Sequence, residues 1–289
     1  MISNKTFVRK IRGLIKLLRF ELPFSAGVCV IMGQIFALGK FASPFIIISG
    51  FASVFLISAS ILVLNDYFDV ETDRINAPER PIPSNLVSPI EALFFSLLLL
   101  FGGLILSYLI GIIVLIISVI LAVIGFLYNR FFKKSGLPGN LMVSFSVGMT
   151  FIYGGATVGL PFSKIVLFFF LIAALTDLGE EIAADSMDIK GDILINSNSL
   201  AIKYGESVAL KISVSIFFLV ILLSFIPFIF NWFSIYYLIS IGIMDASIFY
   251  SSLNLLKSQN GNGRKYIRLL YLGATTGLIV FIIMRLLGI

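Results

Sequence analysis

The stretch PFIIISGFASVFLISASILVLNDYFDVETD, Pro44 to Asp73, decides the fold. Its first two thirds, Pro44 to Leu64, carry no charge, and a bilayer core takes about 20 apolar residues per helix. The run then ends in Asp66, Asp69, Glu71 and Asp73. A membrane helix that stops in a block of carboxylates raises two questions: how often the apolar run recurs, and what offsets the charge.

The run recurs along the whole chain. Of 289 residues, 59% are hydrophobic and 12% charged, with a mean hydropathy of +1.07. Soluble domains lie nearer half apolar and a quarter charged. The apolar segments predict nine spans: Leu22–Leu38, Pro44–Leu64, Pro89–Ile110, Gly111–Leu127, Asn140–Gly159, Lys164–Asp177 and onward, Val208–Phe230, Phe233–Leu256 and Ile267–Leu287. The fold class is therefore all-α, a polytopic membrane protein of about nine helices around a central cavity. The third and fourth spans are divided only by the turn signal at Ser107–Gly111. No soluble-sized segment interrupts the series, so residues 1–289 read as one membrane domain. Its basic start continues into the first apolar run with no cleavage-site pattern.

Orientation follows from Lys and Arg. With the N-terminus in the cytoplasm, only Lys40, Lys164 and Arg285 of the 21 fall outside. The C-terminus is then outside, and both acidic stretches lie on the cytoplasmic face. This bias accounts for the net charge of +6 with no nucleic-acid partner. Residues 1–20 form a basic leader in which Phe7, Ile11, Leu14 and Leu18 share one helical face, as in a helix lying in the membrane interface.

The chain has no histidine and one cysteine. That removes the usual general base and any internal disulfide. Chemistry falls to carboxylates, Lys/Arg, Tyr, and Asn/Ser/Thr. Eleven of the 15 acids lie in two short stretches, 66–79 and 177–192. Asp66, Asp69 and Asp73 are spaced i, i+3, i+7, and so are Asp185, Asp188 and Asp192, which places each trio on one helical face. Asn65 shares the first face, and Glu71 falls off it. Asp177, Glu181 and Asp185 extend the second stripe back toward the membrane. Three like charges on one face repel, and carboxylates at membrane depth cost more, so something positive must offset them. Mg²⁺ takes oxygen ligands and is held by one or two carboxylates plus substrate phosphate. Two carboxylate faces with Mg²⁺ between them would bind a diphosphate. A solvated acidic helix end and a carboxylate relay of an ion-coupled transporter are the competing readings.

Cations lie close in sequence: Arg74 and Arg80 beside the first cluster, Lys190 and Lys203 beside the second, and Lys133 and Lys134 after Tyr128. Each can contact diphosphate oxygens. The loop INAPERPIPSNLVSP carries Pro78, Pro81, Pro83 and Pro89, which predicts an ordered exit from the acid-bearing helix. SQNGNGRK, Ser258 to Lys265, reads as a mobile turn.

NDYFDVETDRINAPERPIPS resembles the first aspartate-rich motif of the UbiA superfamily of membrane prenyltransferases, and DSMDIKGD resembles its second. LYNRFFKK followed by GLPGN resembles the tyrosine–lysine loop and the Gly-Asn that opens the fifth helix, and SLAIKYGESVA resembles the segment after the second motif. The resemblance spans nearly the whole chain. It implies Mg²⁺, as two ions, held by Asn65, Asp69, Asp73, Asp185, Asp188 and Asp192, with Asp66 beside them. It places substrate contacts at Tyr128, at Lys133 or Lys134, and at Asn140. Where the family often has R-E-x-x-K-D, this chain has Glu180-Glu181-Ile-Ala-Ala184-Asp185, so two expected cations are missing. Diphosphate contacts then come from elsewhere, among Arg74, Lys133, Lys134 and Lys203. The first helix opens Arg19-Phe-Glu21-Leu-Pro23 in place of R-P-x-N. The motif form is closest to an archaeal branch that joins geranylgeranyl diphosphate to the hydroxyl of geranylgeranylglyceryl phosphate, making the second ether bond of archaeal lipid. An aromatic prenyltransferase of quinone biosynthesis, acting on hydroxybenzoate or dihydroxynaphthoate, is the alternative within the family.

Overall fold

The computed structural model describes residues 4–194, 196–258 and 263–288, and among them all regular structure is helical. In chain order the helices are α1 (Asn4–Leu17), α2 (Glu21–Leu38), α3 (Pro44–Phe68), α4 (Val70–Asn76), α5 (Pro89–Ile110), α6 (Ile112–Leu127) and α7 (Leu137–Thr157). Then come α8 (Lys164–Met187), α9 (Ile189–Leu194), α10 (Leu200–Tyr204), α11 (Glu206–Ser224), α12 (Ile226–Ile229), α13 (Leu238–Lys257) and α14 (Arg264–Leu286). Seven segments, those containing α2, α3, α5, α6, α11, α13 and α14, are long and apolar enough to cross a membrane. The long helices α7 and α8 bring the described total to the nine expected. Glycine, serine and threonine make α7 less apolar, and Asp177, Glu180, Glu181 and Asp185 do the same for α8.

The boundaries follow local chemistry. Ser43, Ser88 and Ser163 cap the starts of α3, α5 and α8, and Ser88 with Glu91 forms a reciprocal capping box. The turn at Ser107–Gly111 falls where expected, with Gly111 alone between α5 and α6. The span expected over Val208–Phe230 is two helices. Pro227 has no N–H to donate and would clash with the carbonyl four residues back, so α11 stops at Ser224 and α12 begins at Ile226. The reading of 258–265 as a mobile turn rests on residues 259–262, which lie outside the described residues.

The chain packs as two compact units, Met1–Phe132 with Tyr153–Pro161, and Lys133–Ile152 with Phe162–Ile289.

In the first unit, α5 shows how a membrane helix packs. Ala92, Ser96, Leu99, Gly103 and Ser107 are buried, whereas Phe94, Leu98, Phe101 and Ile105 are exposed. Leu99 apart, the small residues face protein and the large apolar ones face outward, the reverse of a soluble helix. Small residues let backbones approach closely where lipid removes the hydrophobic drive. Between the helices, Tyr153 is fully buried and its hydroxyl lies 2.7 Å from Ser53 Oγ and 2.9 Å from Ser107 Oγ. Next to it, a Cβ on Gly154 would lie 2.2 Å from the Val30 carbonyl and 2.9 Å from Gly33 Cα. Backbone cannot yield as a side chain can. Gly154→Ala is expected to cost about 1–3 kcal/mol, as overpacking typically does, and to lower the apparent Tm in detergent by several degrees; an unchanged Tm would refute the close approach.

In the second unit, Ile172, Ala183, Met187, Leu210, Phe217, Val220, Ile248, Leu255 and Leu270 form one core drawn from α8, α11, α13 and α14. Gly179 admits the Phe217 ring, and its carbonyl accepts from Ser213 Oγ at 2.6 Å. This contact fixes α8, the helix that carries the second acidic stretch.

Candidate active site

Each aspartate trio was expected on one unbroken helix. Both helices break at the middle aspartate. Asp69 sits between α3 and α4 with φ −91° and ψ 6°, and Asp188 sits between α8 and α9 with φ −109° and ψ 8°. This region of backbone space is sparsely used. Aspartate is a poor interior helix residue because its side chain competes for backbone groups, and three stacked charges add repulsion. In the first motif Thr72 Oγ1 also donates to the Asp69 carbonyl at 2.8 Å. The i→i+4 bonds from Asp69 N to Asn65 O and from Asp73 N to Asp69 O persist at 2.9 and 2.8 Å, so the chain bends without unwinding.

In the first unit the acids meet two arginines. Asp66, Asp69 and Asp73 are all buried. Arg80 Nη1 donates to both carboxylate oxygens of Asp73 at 2.6 Å and reaches Asp66 Oδ1 at 3.4 Å. Burial disfavours its charge, but the hydrogen bond to Asp73 and the charges of Asp73, Asp66 and Asp69 outweigh it, holding the guanidinium pKa above its usual value. Arg19 donates to Asp66 as well. It does so from a left-handed backbone, φ 44°, a conformation that costs a non-glycine residue about 1–2 kcal/mol. The motif reading named Arg19 only as the opening of the first-helix motif and gave it no partner.

The proline-rich exit is ordered, as expected. Arg80 N bonds Ala77 O, Ser84 N bonds Arg80 O, and Leu86 N and Val87 N bond Pro81 O. Ile82 and Val87 are buried with Leu17, Ala59, Val63, Ala92 and Leu99. This packing aims Arg80 at the acids. Arg74 goes elsewhere: it pairs with Glu71 at 3.3 Å, and both are exposed. Asn65 donates to Asn129 Oδ1 at 2.9 Å, and Asn129 donates to the Ile61 carbonyl at 3.2 Å. Asn129 follows Tyr128, which opens the irregular turn after α6.

In the second unit, Asn140 is buried at the start of α7 and donates to Asp185 Oδ2 at 2.9 Å. The charge of Lys133 acts on Glu181 and Asp185. Lys134 contributes its backbone, its carbonyl accepting from Asn198 N at 2.9 Å. Between the two lysines, the structure brings Lys133 toward the acids. Gly136, at φ 72°, follows them, and a Cβ there would lie 2.1 Å from the Asn198 carbonyl. Asp188 pairs with Arg264, which the sequence marked only as a cytoplasmic cation, and Met187 Sδ accepts from Gly263 N at 3.1 Å. Asp192 lies in α9, and its carbonyl accepts from Ser197 N at 2.9 Å. Lys203 is exposed in the last turn of α10.

The interfacial face expected of the leader is split. Ile11 is exposed, but Leu14 and Leu18 pack against the cluster around Leu17, which is fully buried. The side chain of Phe7 lies outside the described residues.

The donors at both motifs are hard oxygens, which suit Mg²⁺ or a similar cation. Among the described residues no three acidic, cysteine or histidine side chains converge closely enough to hold an ion by themselves.

Residues 26–279 match the UbiA prenyltransferase family. The chain is 36% identical over 268 residues to the digeranylgeranylglyceryl phosphate synthase of Methanococcus aeolicus, covering 90% of this chain and 94% of that one. A solved digeranylgeranylglyceryl phosphate synthase superposes with a TM-score of 0.68 at 33% identity, covering 93% of this chain and 99% of that one. The UbiA homolog of Archaeoglobus fulgidus bound to GPP and Mg²⁺ superposes with a TM-score of 0.64 over 93% of this chain and 99% of that one. Its 17% identity makes that a likeness of fold.

Proposed function

Because the chain belongs to the UbiA prenyltransferase family, we propose that it transfers a geranylgeranyl group from its diphosphate to the free hydroxyl of geranylgeranylglyceryl phosphate, with Mg²⁺ required. The observation that carries this reading is the 36% identity to a digeranylgeranylglyceryl phosphate synthase over 94% of that protein's length. The family match takes in parts of both units, which supports treating residues 1–289 as one catalytic domain. The Lys/Arg bias supports the cytoplasmic face for the N-terminus and the reaction.

Asn65, Asp69 and Asp73, and Asp185, Asp188 and Asp192, are the residues that would hold Mg²⁺, with room in the donor set for two ions. Bound there, it would stabilise charge on the departing diphosphate. Arg80 and Lys133 supply fixed positive charge at the two motifs, and Lys203 an exposed one nearby in sequence. Lys134 and Tyr128 remain candidate contacts for the diphosphate and its chain, whereas Arg74 is paired with Glu71. Asn140 orients Asp185. In the reaction the allylic C1–O bond breaks and its electron pair leaves with the diphosphate. The acceptor oxygen then bonds to C1 and gives up its proton. With no histidine in the chain, that proton passes to a carboxylate or to the diphosphate.

The test is product identity. Purified protein with geranylgeranyl diphosphate, Mg²⁺ and a panel of acceptors should give digeranylgeranylglyceryl phosphate by mass. A chelator should stop the reaction and added Mg²⁺ restore it. Prenylated hydroxybenzoate or dihydroxynaphthoate as the sole product would overturn the acceptor assignment. Ion flux in proteoliposomes without any prenyl transfer would overturn the enzymatic reading.

A further inference from the structure

Helix α1 presents three surfaces. The first faces protein. Gly13 is packed so closely that a Cβ there would lie 2.6 Å from Val87 Cγ2. Leu17 is fully buried among Ala59, Val63, Ile82, Val87 and Ala92, and Lys10 pairs with Glu91 at the start of α5. Two residues past α1, Arg19 holds Asp66. The helix is thus strapped across the end of α3 and the proline-rich turn.

The second surface is apolar and uncovered. Val8, Ile11 and Ile15 are 62%, 41% and 60% exposed, and their i, i+3, i+7 spacing makes one stripe. The third is cationic. Arg9, Arg12 and Lys16 have the same spacing, are all exposed, and form no ion pair among the described residues. The cationic stripe lies beside the apolar one.

The position of α1 selects the occupant. It ends at Leu17, and α2, long and apolar enough to cross a membrane, begins at Glu21. Three residues cannot carry α1 away from the bilayer edge. An apolar stripe there meets acyl chains, and the cations beside it meet headgroups. Each Lys or Arg near an anionic surface contributes attraction that a neutral surface lacks.

We propose that the outer face of α1 binds anionic lipid headgroups through Arg9, Arg12 and Lys16, with Val8, Ile11 and Ile15 seated in the acyl boundary. The face against α3 and the proline-rich turn is a separate surface and keeps its protein contacts.

A nitroxide at Ile15→Cys in a Cys29→Ala chain tests this directly. The protein is placed in nanodiscs of phosphatidylcholine alone, or of phosphatidylcholine with a minority of phosphatidylglycerol. Collisions with oxygen report the acyl boundary, and collisions with a water-soluble nickel chelate report solvent. Phosphatidylglycerol should shift the label toward oxygen and away from nickel. The shift should vanish in Arg9→Gln/Arg12→Gln/Lys16→Gln and persist in Arg9→Lys/Arg12→Lys, which keeps the charge. Inorganic phosphate added to phosphatidylcholine discs should give no shift. Equal accessibility in the two lipids, a full response in the neutralised variant, or a response to free phosphate would each overturn the proposal. The neutralised residues form no ion pair among the described residues, so their loss leaves the strap's contacts to Val87, Glu91 and Asp66 in place.

Discussion

Asp69→Asn and Asp188→Asn are each expected to cut prenyl transfer by roughly a thousandfold, with expression and thermal unfolding close to wild type. Cation stabilisation of a leaving group supplies several kcal/mol, and each 1.36 kcal/mol is a factor of ten in rate. Asparagine keeps the size and one oxygen but removes the charge a hard cation needs. It also tolerates the bent backbone at both positions. Asp188 pairs with Arg264, whose side chain is 59% exposed, and exposed pairs add little to stability. Asp188→Asn should therefore report on chemistry. Glu71→Gln is the control: Glu71 is exposed and, among the described residues, pairs only with exposed Arg74, so transfer should stay close to wild type. Initial rates with labelled geranylgeranyl diphosphate at saturating Mg²⁺ decide the matter. Full activity in either aspartate variant would remove that residue from the cation site.

The helices were legible because hydropathy over a bilayer's width is a strong signal, and the signals at Pro44, Ser88-Pro89, Ser107–Gly111 and Ser163 have local causes. The breaks at Asp69 and Asp188 were not, since periodicity alone extends a helix through a residue whose backbone leaves it. Long-range ion pairs were also hidden. Arg19 meets Asp66 across 47 residues and Arg264 meets Asp188 across 76, and no spacing rule reaches so far. Arg74 shows the converse: adjacency to the motif made it a candidate, yet its helix turns it to Glu71. The two lysines after Tyr128 could not be separated by sequence because the irregular turn over 128–135 sets which one points back. The split of α1 was likewise invisible. A helical wheel shows an apolar face, but only the fold shows that Leu17 is covered by the proline-rich turn.

Arg80→Leu is expected to destabilise the protein by about 3–5 kcal/mol, the usual cost of leaving a buried charge without its partner. The Asp73 side chain is 7% exposed, and Arg80 donates to both of its oxygens. Asp66 is 3% exposed and keeps Arg19 when Arg80 is lost, so the loss falls chiefly on Asp73. That asymmetry makes the prediction specific. Adding Asp73→Asn to Arg80→Leu should recover most of the lost stability, because a neutral amide tolerates the site better than an unpaired carboxylate. Adding Asp66→Asn should recover less, since it frees Arg19 as it removes a charge. The pair is in direct contact, so the two changes must couple. Apparent Tm in detergent, measured for the three single variants and both doubles, gives the two cycles. Additive losses in Arg80→Leu/Asp73→Asn would mean that Arg80 is not the counter-ion of Asp73, and that the acids of the first motif are held in place by something else.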